Sequence, residues 1–543
     1  MKAHSQKHLY TRYVFIEFLL LTIFLYNSAF ANQFSGIVLD TKGQPIDEAV
    51  VRLQGTRLST LTDQKGLFTI NIDNTVRSKY ITAWKAGFYN SGQPFSRKVK
   101  EYSIILKPVP SIDNEKYSWI SSSHNRTIIT EDKTEEEKAC QFCHPMIVEE
   151  WKNSAHSTSA KNPLFLSFFN GTNQNNRKKV GPGYRLDFPN SQGNCAACHV
   201  PVLALDNPFN SDPNKAQGAA KEGVFCDFCH KIVNTSIDRT GGYPGILSIQ
   251  FQRQAEGRQI FFGPYDDSFP GDNSYHPLYK DSRYCAPCHN GRFWDVLAYS
   301  EFQEWAESSY AKKGVQCQDC HMKPTGRMSR FALRKEGGVL RETTTIPSHI
   351  IFGVKDKSFM SNAIGLDTQA TLEDNILKVS VTVKNVKAGH HYPTGSPMRN
   401  MILLVDVVDK KGKPLPMTRG ERIPTWGGVG AREVGNYAGL PGKGFAKVLK
   451  DLARYPDGQR SRRFRKEYPA PHWRPTLVES GNRIPAHGFD TSNYQFLVPE
   501  TLSGHISVTA RLIYRRAYKK WLDEKGLKIS DMEIIQKQLI VRR

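Results

Sequence analysis

The chain has 543 residues, of which 39% are hydrophobic and 23% are charged, and its formal net charge is +22. This composition excludes a disordered chain and one built mainly of membrane spans. At about 150 residues per domain, the length indicates three or four domains. The excess of basic residues favours acidic partners or anionic substrates. Nucleic acid would also suit this charge, but the export signal described next argues against it.

The N-terminus has the features of an export signal. Basic residues precede an apolar run, Val14–Tyr26, and Ala29-Phe30-Ala31 offers the small residues of a cleavage site. The run has 13 residues, fewer than the roughly 20 that a transmembrane helix needs. We predict that residues 1–31 are a signal peptide and that the mature chain has no membrane span. An uncleaved membrane anchor is the alternative.

Residues 33–108 have the pattern of β-structure. Strand-like runs, Phe34–Asp40, Ala49–Leu53 and Leu67–Ile70, are separated by turn signals at Gly43-Gln44-Pro45 and Thr62–Gly66. The order of these motifs resembles the carboxypeptidase regulatory-like domain, and the resemblance implies a small β-sandwich. The segment has no cluster of candidate ligands or catalytic groups, so we predict a spacer or a docking module.

All ten cysteines belong to a Cys-x-x-Cys-His pattern that occurs five times in the segment 109–350. This pattern is the attachment motif of c-type haem. Residues three and four apart share one face of a helical turn, so two thiols can bond the haem vinyl groups while the histidine binds the iron. We predict five covalently bound haem c groups. The tethering residues are Cys140, Cys143, Cys195, Cys198, Cys226, Cys229, Cys285, Cys288, Cys317 and Cys320, and the proximal ligands are His144, His199, His230, His289 and His321.

Other uses of paired cysteines fit this pattern less well. Five disulfides would suit an exported protein, and paired Cys-x-x-Cys units also bind zinc. Neither explains a histidine directly after every pair. A thioredoxin-like redox motif needs one pair in a βαβ setting rather than five.

The spacing of the motifs indicates a repeated unit. The first cysteines are 55, 31, 59 and 32 residues apart, so long and short intervals alternate. A second similarity supports the repeat: Trp151-x-x-Ser154-x-His156 follows the first motif, and Trp305-x-x-Ser308-x-Tyr310 precedes the fifth. The alternative is coincidence between two amphipathic helices, predicted at Ile147–Ser157 and Glu301–Lys312.

From residue 365 the pattern again predicts β-structure. Apolar residues alternate in Leu377–Val383 and Ile506–Leu512, and Met401–Val408 is a continuous apolar strand. We predict a second, Ig-like sandwich over 365–543, with a long insertion at about 418–485. A basic run in the insertion, Arg460–Lys466, is either a solvated loop or a patch for an acidic redox partner. The predicted fold class is α+β multidomain, with a mostly helical or irregular multihaem domain between two sandwiches.

Several motifs resemble the multihaem cytochrome c superfamily, which includes tetrahaem cytochromes, pentahaem nitrite reductases and hydroxylamine oxidoreductases. The first haem motif with Glu150–His156 carries the resemblance, and Gly389–Gly395, Asp281–Cys285 and Gln316–Met322 are similar too. It covers most of residues 135–543 and implies a periplasmic or cell-surface electron carrier with closely stacked haems. All five motifs here end in histidine, whereas the catalytic motif of the pentahaem nitrite reductases ends in lysine.

Nine histidines lie outside the motifs and the signal and are candidates for the distal iron positions. The family resemblance implies His156, His390, His349 and His276 as distal ligands. His124 completes the predicted set, and His391 is an alternative to His390. We leave His472, His487 and His505 as structural. Five distal histidines would make every iron low-spin. If one iron lacks a distal ligand, Tyr310 is the first residue to consider, because it stands where the repeated motif would place a histidine.

These features predict an exported pentahaem electron carrier that works with redox partner proteins, and they assign no catalytic residue. Two alternatives stay open. One is an oxidoreductase acting on a small nitrogen or sulfur compound at a five-coordinate haem. The other is a subunit of an extracellular cytochrome filament assembled through the sandwiches. An open iron would indicate the first, and a distal histidine from a neighbouring chain would indicate the second.

Overall fold

The computed structural model describes residues 32–129, 134–237, 243–254, 259–452 and 467–543. The predicted signal peptide and the basic run Arg460–Lys466 lie outside these residues. No helix in the described ranges is long and apolar enough to cross a membrane. The chain divides into two compact units. The first holds the described residues up to Tyr117 with Gln252–Pro277 and Ser329–Thr343, and the second holds Ser118–Phe251, Leu278–Met328 and Thr344–Arg543.

The first unit contains two sheets that share one core. One sheet has the order β4-β1-β7, with β1 antiparallel to β4 and parallel to β7, and the other has the order β3-β2-β5-β6. Alternate side chains of β4 and β7 are buried, as expected of strands with one face toward a core. The strands are β1 (Asn32–Asp40), β2 (Val50–Leu53), β3 (Ser59–Leu61), β4 (Leu67–Ile72), β5 (Tyr80–Trp84), β6 (Ser91–Pro94) and β7 (Glu101–Leu106).

Two segments from the middle of the sequence complete the first unit. The Arg341 guanidinium donates to the Asp267 carboxylate at 2.6 Å, and both side chains are almost fully buried. Asp267 also accepts from the backbone N–H of Gly55 at 2.8 Å. Charges this deeply buried are stable only when they are paired, so these contacts hold both segments against the sheets. The segments supply β12 (Phe261–Gly263) and β13 (Asn273–Tyr275), which pair in parallel.

The second unit begins with the haem motifs, where helices and strands are short. The predicted helix from Ile147 ends at Lys152, and the predicted helix from Glu301 is interrupted before Ser308, whose side chain caps the next turn. The helices are Cys140–Cys143, Pro145–Lys152, Pro163–Asn170, Tyr184–Asp187, Ala196–His199, Cys226–Cys229, Ala286–His289, Glu301–Ala306, Ser309–Lys312, Cys317–His321, Lys357–Ala363 and Lys519–Glu524. The strands form two-stranded sheets: β8 (Arg126–Ile129) with β9 (Thr134–Glu137), β10 (Ile232–Thr235) with β11 (Ile249–Phe251), and β14 (Arg292–Phe293) with β15 (Val296–Leu297).

The C-terminal part of the second unit contains two larger sheets around a second core. Their orders are β16-β17-β22-β19 and β21-β20-β18-β23-β24. Both sheets contribute side chains to this core, including Val381, Leu403 and Val508. The strands are β16 (Ile364–Glu373), β17 (Ile376–Asn385), β18 (Asn400–Asp409), β19 (Met417–Arg419), β20 (Gly442–Asp451), β21 (Thr476–Gly481), β22 (Phe489–Leu497), β23 (His505–Arg515) and β24 (Met532–Arg542).

Strand β18 is buried on both faces, unlike a strand at the surface of a sandwich. Leu403 faces the core between the sheets, whereas Leu404 packs in a separate cluster with Trp426 and Trp521. Phe168, from the haem-motif part of the unit, belongs to that second cluster. A strand covered on both faces is apolar throughout, which explains the continuous apolar run of β18.

Candidate haem-binding site

The haem motifs lie next to one another in the second unit. Thiols of different motifs are hydrogen-bonded in three pairs, and Cys229 interacts electrostatically with Cys288. The three pairs are Cys140 with Cys226, Cys198 with Cys288, and Cys285 with Cys317. The first motif therefore adjoins the third, and the fourth adjoins the second, the third and the fifth. None of the ten cysteines forms a disulfide.

Two pairs of histidines have the separation that two axial ligands of one iron require. The ring centres of His156 and His289 are 6.4 Å apart, and those of His321 and His390 are 6.2 Å apart. A metal–imidazole bond is about 2 Å long and the ring centre lies about 1.2 Å beyond the nitrogen, so two imidazoles that would hold one metal ion from opposite sides have ring centres about 6.4 Å apart. The residues present therefore fit a bis-histidine haem at each of these two places.

Backbone carbonyl groups orient the imidazoles of three candidate ligands, His321, His390 and His349. The Nδ1–H of His321 donates to the Phe352 carbonyl oxygen at 2.6 Å, and the Nδ1–H of His390 donates to its neighbour's carbonyl oxygen at 2.9 Å. His349 is held in the same way by the Pro347 carbonyl oxygen at 3.2 Å. A hydrogen bond at Nδ1 fixes the tautomer and leaves Nε2 for the metal.

Burial keeps the candidate ligands in the form that binds metal. Burial is the main cause that lowers the pKa of His156, His321 and His349 to about 4, and nearby imidazoles act in the same direction. A neutral imidazole is the form that ligates iron. For His349 the nearby imidazoles are His230, with the larger effect, and His144.

His472 is a candidate that sequence reasoning missed. It is buried, its Nδ1 has no hydrogen-bond partner among the described residues, and it interacts electrostatically with the proximal histidine His199. Its Nε2 is 3.2 Å from the hydroxyl of Tyr299, which itself interacts with Cys198 and Cys195. No sequence motif surrounds His472, and only its position in the folded chain indicates a role.

The remaining predicted ligands have other surroundings. The His124 side chain is 83% exposed, with its Nδ1 3.5 Å from Glu222. His276 belongs to the first compact unit, where its ring packs on Phe262. His391 lies 3.7 Å from the Glu304 carboxylate, so its neighbour His390 is the one that faces His321.

Comparisons with known proteins agree with this geometry. Residues 139–231, which contain the first three motifs, match the family described as cytochrome c554 and c-prime. This chain carries a multihaem c-type cytochrome domain. The penta-heme cytochrome c552 from Thermochromatium tepidum has a similar fold, with a TM-score of 0.50, 18% identity, and coverage of 74% of this chain and 97% of that chain.

Two further comparisons add nothing to this cytochrome's description. The ASH/PapD-like domain of human CEP192 aligns with 34% of this chain and 89% of that one at 9% identity, and its TM-score of 0.13 is too low to indicate a shared fold. No curated protein matches the chain significantly. The family match and the motifs support a multihaem cytochrome with covalently bound haem c.

Proposed function

We propose that this cytochrome is an exported protein that binds five haem c groups and passes electrons between redox partner proteins. The observation that carries the proposal is that two pairs of histidines, His156 with His289 and His321 with His390, have the separation expected of two ligands of one iron. An iron with two strong ligands has no open position for substrate, which suits a carrier. When bound, haem supplies one-electron chemistry between the ferrous and ferric states.

The contacts between thiols support an order for the relay. The first, third, fourth and fifth motifs form a line, because Cys140 adjoins Cys226, Cys229 adjoins Cys288, and Cys285 adjoins Cys317. The second motif branches from the fourth. We propose that electrons follow this line and that the fourth haem is the junction.

The structure supports ligand assignments for two further irons. His349 interacts electrostatically with both His230 and His144. Its backbone N–H donates to Glu150, and the next residue, Trp151, donates to Val224 just before the third motif, so we assign His349 to the third haem. We assign His472 to the second haem because it interacts electrostatically with His199 and its buried Nδ1 has no hydrogen-bond partner among the described residues. This changes its role from the structural one expected from sequence. His124 and His276 stay predicted distal ligands without an assignment to a particular haem.

Export and partners are proposed from sequence. The apolar run Val14–Tyr26 with its small residues favours a cleaved signal and a periplasmic or cell-surface location. The net charge of +22 favours acidic redox proteins as donor or acceptor. We propose that the two β-rich regions, 33–108 and 365–543, serve as docking or assembly modules.

Electron paramagnetic resonance of the oxidised holoprotein, with spins counted against total haem, tests this proposal. We expect five haems per chain, all low-spin, and about one high-spin haem after His472→Ala because that variant opens the second iron. Tyr299→Phe is the control, since it removes only a hydrogen bond to His472. A wild-type protein with one high-spin haem in five would instead favour the oxidoreductase that acts at an open iron.

A further inference from the structure

Two tryptophans make the same contact in two separate parts of the haem region. The indole N–H of Trp151 donates to the carbonyl oxygen of Val224 at 2.9 Å, and that of Trp305 donates to the carbonyl oxygen of Val315 at 2.8 Å. Each valine lies two residues before the first cysteine of a haem motif, Cys226 in one case and Cys317 in the other. The similarity of the two sequences is therefore also a similarity of structure.

Other contacts repeat at the same two places. The backbone N–H of Cys226 donates to the Ser122 hydroxyl at 3.3 Å, and that of Cys317 donates to the Ser282 hydroxyl at 2.9 Å. Each of these cysteines is also hydrogen-bonded to a thiol of another motif. Because three kinds of contact recur, the first and third motifs form one copy of a unit, and the fourth and fifth motifs form a second copy.

A glutamate precedes each tryptophan, and each holds a distant loop. The Glu150 carboxylate accepts from the backbone N–H of His349 at 2.8 Å and from the Ser348 hydroxyl at 3.0 Å. The Glu304 carboxylate accepts from the backbone N–H of His391 at 3.1 Å and from the Thr394 hydroxyl at 2.9 Å. In both copies the carboxylate binds one backbone amide and one hydroxyl of the loop.

Both loops carry a candidate distal ligand. His349 interacts with His230 of the third motif, and His390 faces His321 of the fifth. Neither histidine lies in a helix or strand, so repeating backbone hydrogen bonds do not fix its position. Glu304 is buried and Glu150 is half-buried. A carboxylate shielded in this way and bound by several donors restrains such a loop, because charged hydrogen bonds are stronger than neutral ones and breaking them leaves the charge less well satisfied.

We propose that Glu150 and Glu304 are equivalent positioning residues that hold the distal histidines of two haems in place. Glu150 holds His349 at the third iron, and Glu304 holds His390 at the fifth. This inference rests on the proposed function, because it assumes that both histidines are axial ligands. It gives these two carboxylates a role that acts through the histidine loops they bind.

One position of the repeat differs between the copies. His156 of the first copy lies beside His289, at the fourth haem. The corresponding residue of the second copy, Tyr310, stacks on the ring of His487 with the ring centres 4.8 Å apart. The repeat therefore concerns the glutamate, tryptophan and serine contacts and does not extend to this ligand.

The test uses the holoprotein with Glu150→Ala, Glu304→Ala and both together. Electron paramagnetic resonance with spin counting should show about one high-spin haem in five for each single variant and two for the double variant. Added imidazole should return each variant to low spin, because a small ligand can fill the position that the histidine has left. The matched controls are Glu149→Ala and Glu307→Ala, which change exposed glutamates nearby and should leave all haems low-spin.

Two further variants separate failure of this inference from failure of the proposed function. His349→Ala and His390→Ala should each open one iron. If they do so while the glutamate variants stay fully low-spin with full haem content, the positioning role is overturned. If they open no iron, the ligand assignment itself is wrong. Where an alanine variant takes up no haem, Glu150→Gln and Glu304→Gln replace it. A partial high-spin signal in these variants supports the inference, and the absence of any high-spin signal overturns it.

Discussion

At the scale of single residues, the motif histidines differ in the group that accepts a hydrogen bond from their Nδ1–H. The Nδ1–H of His289 points to the Glu301 carboxylate at 3.4 Å, whereas that of His321 donates to a backbone carbonyl. Glu301 is mostly buried and lies beside Arg399. A carboxylate makes the imidazole a more basic ligand than a carbonyl does, which stabilises ferric iron. The fourth haem should therefore have a lower reduction potential than the fifth.

Glu301→Gln tests this difference. The substitution keeps the shape of the side chain but removes its charge, so we expect the potential of the fourth haem to rise by some tens of millivolts while the others move less. A redox titration followed by electron paramagnetic resonance would measure it. Glu307→Gln, at an exposed position nearby, is the control. An unchanged potential would show that Glu301 does not act on His289.

At the scale of elements, β18 connects the C-terminal sheets to the haem region. Two successive residues of this strand pack in different clusters. Leu403 belongs to the core between the sheets, and Leu404 belongs to the cluster that includes Phe168. Strand β17 is different, since Val381 is buried and its neighbour Thr382 is only partly so. The haem region therefore packs on a sheet that is apolar on both sides, which restrains the helix Pro163–Asn170 beside the second motif.

This arrangement predicts that alanine substitutions at adjacent positions of β18 lower the stability by similar amounts. Leu403→Ala and Leu404→Ala should each lower the stability of the holoprotein by about 2–5 kcal/mol, because each leaves a cavity in a packed cluster. In β17, Val381→Ala should destabilise strongly and Thr382→Ala only slightly. Thermal unfolding followed by circular dichroism would compare the stabilities of the four variants. A small effect of Leu404→Ala would mean that the outer cluster contributes little to stability.

At the scale of the whole molecule, the contacts between motifs form a branched line. The fourth motif adjoins the second through Cys198, the third through Cys229 and the fifth through Cys317. Its loss would separate the fifth haem from the first and third, whereas loss of the second would leave that path intact. On the proposed relay, the fourth haem would have the largest influence on how electrons spread through the protein.

Removal of single haems tests this connectivity. Cys285→Ser with Cys288→Ser should slow electron exchange between the fifth haem and the rest by more than tenfold, and Cys195→Ser with Cys198→Ser should leave it nearly unchanged. Stopped-flow reduction, with each haem followed by its spectrum, measures these rates. Equal slowing in both variants would contradict a junction at the fourth haem. The second variant also controls for the general effect of losing a cofactor.

The covalently bound haem c and the β-rich flanks could be predicted from sequence, because each depends on residues close together in the chain, whereas the export signal stays a prediction. Two thiols and a histidine within five residues, such as Cys140–His144, define an attachment site wherever they lie in the fold. The proposed axial pairing is different, because His156 meets His289 and His321 meets His390 across long stretches of sequence. The proposed role of His472, the hydrogen bonds of Glu150 and Glu304 to distant loops, and the second buried face of β18 likewise arise only when distant segments pack together. Local chemistry therefore determined what the chain binds, and the tertiary structure decided which residues complete each site.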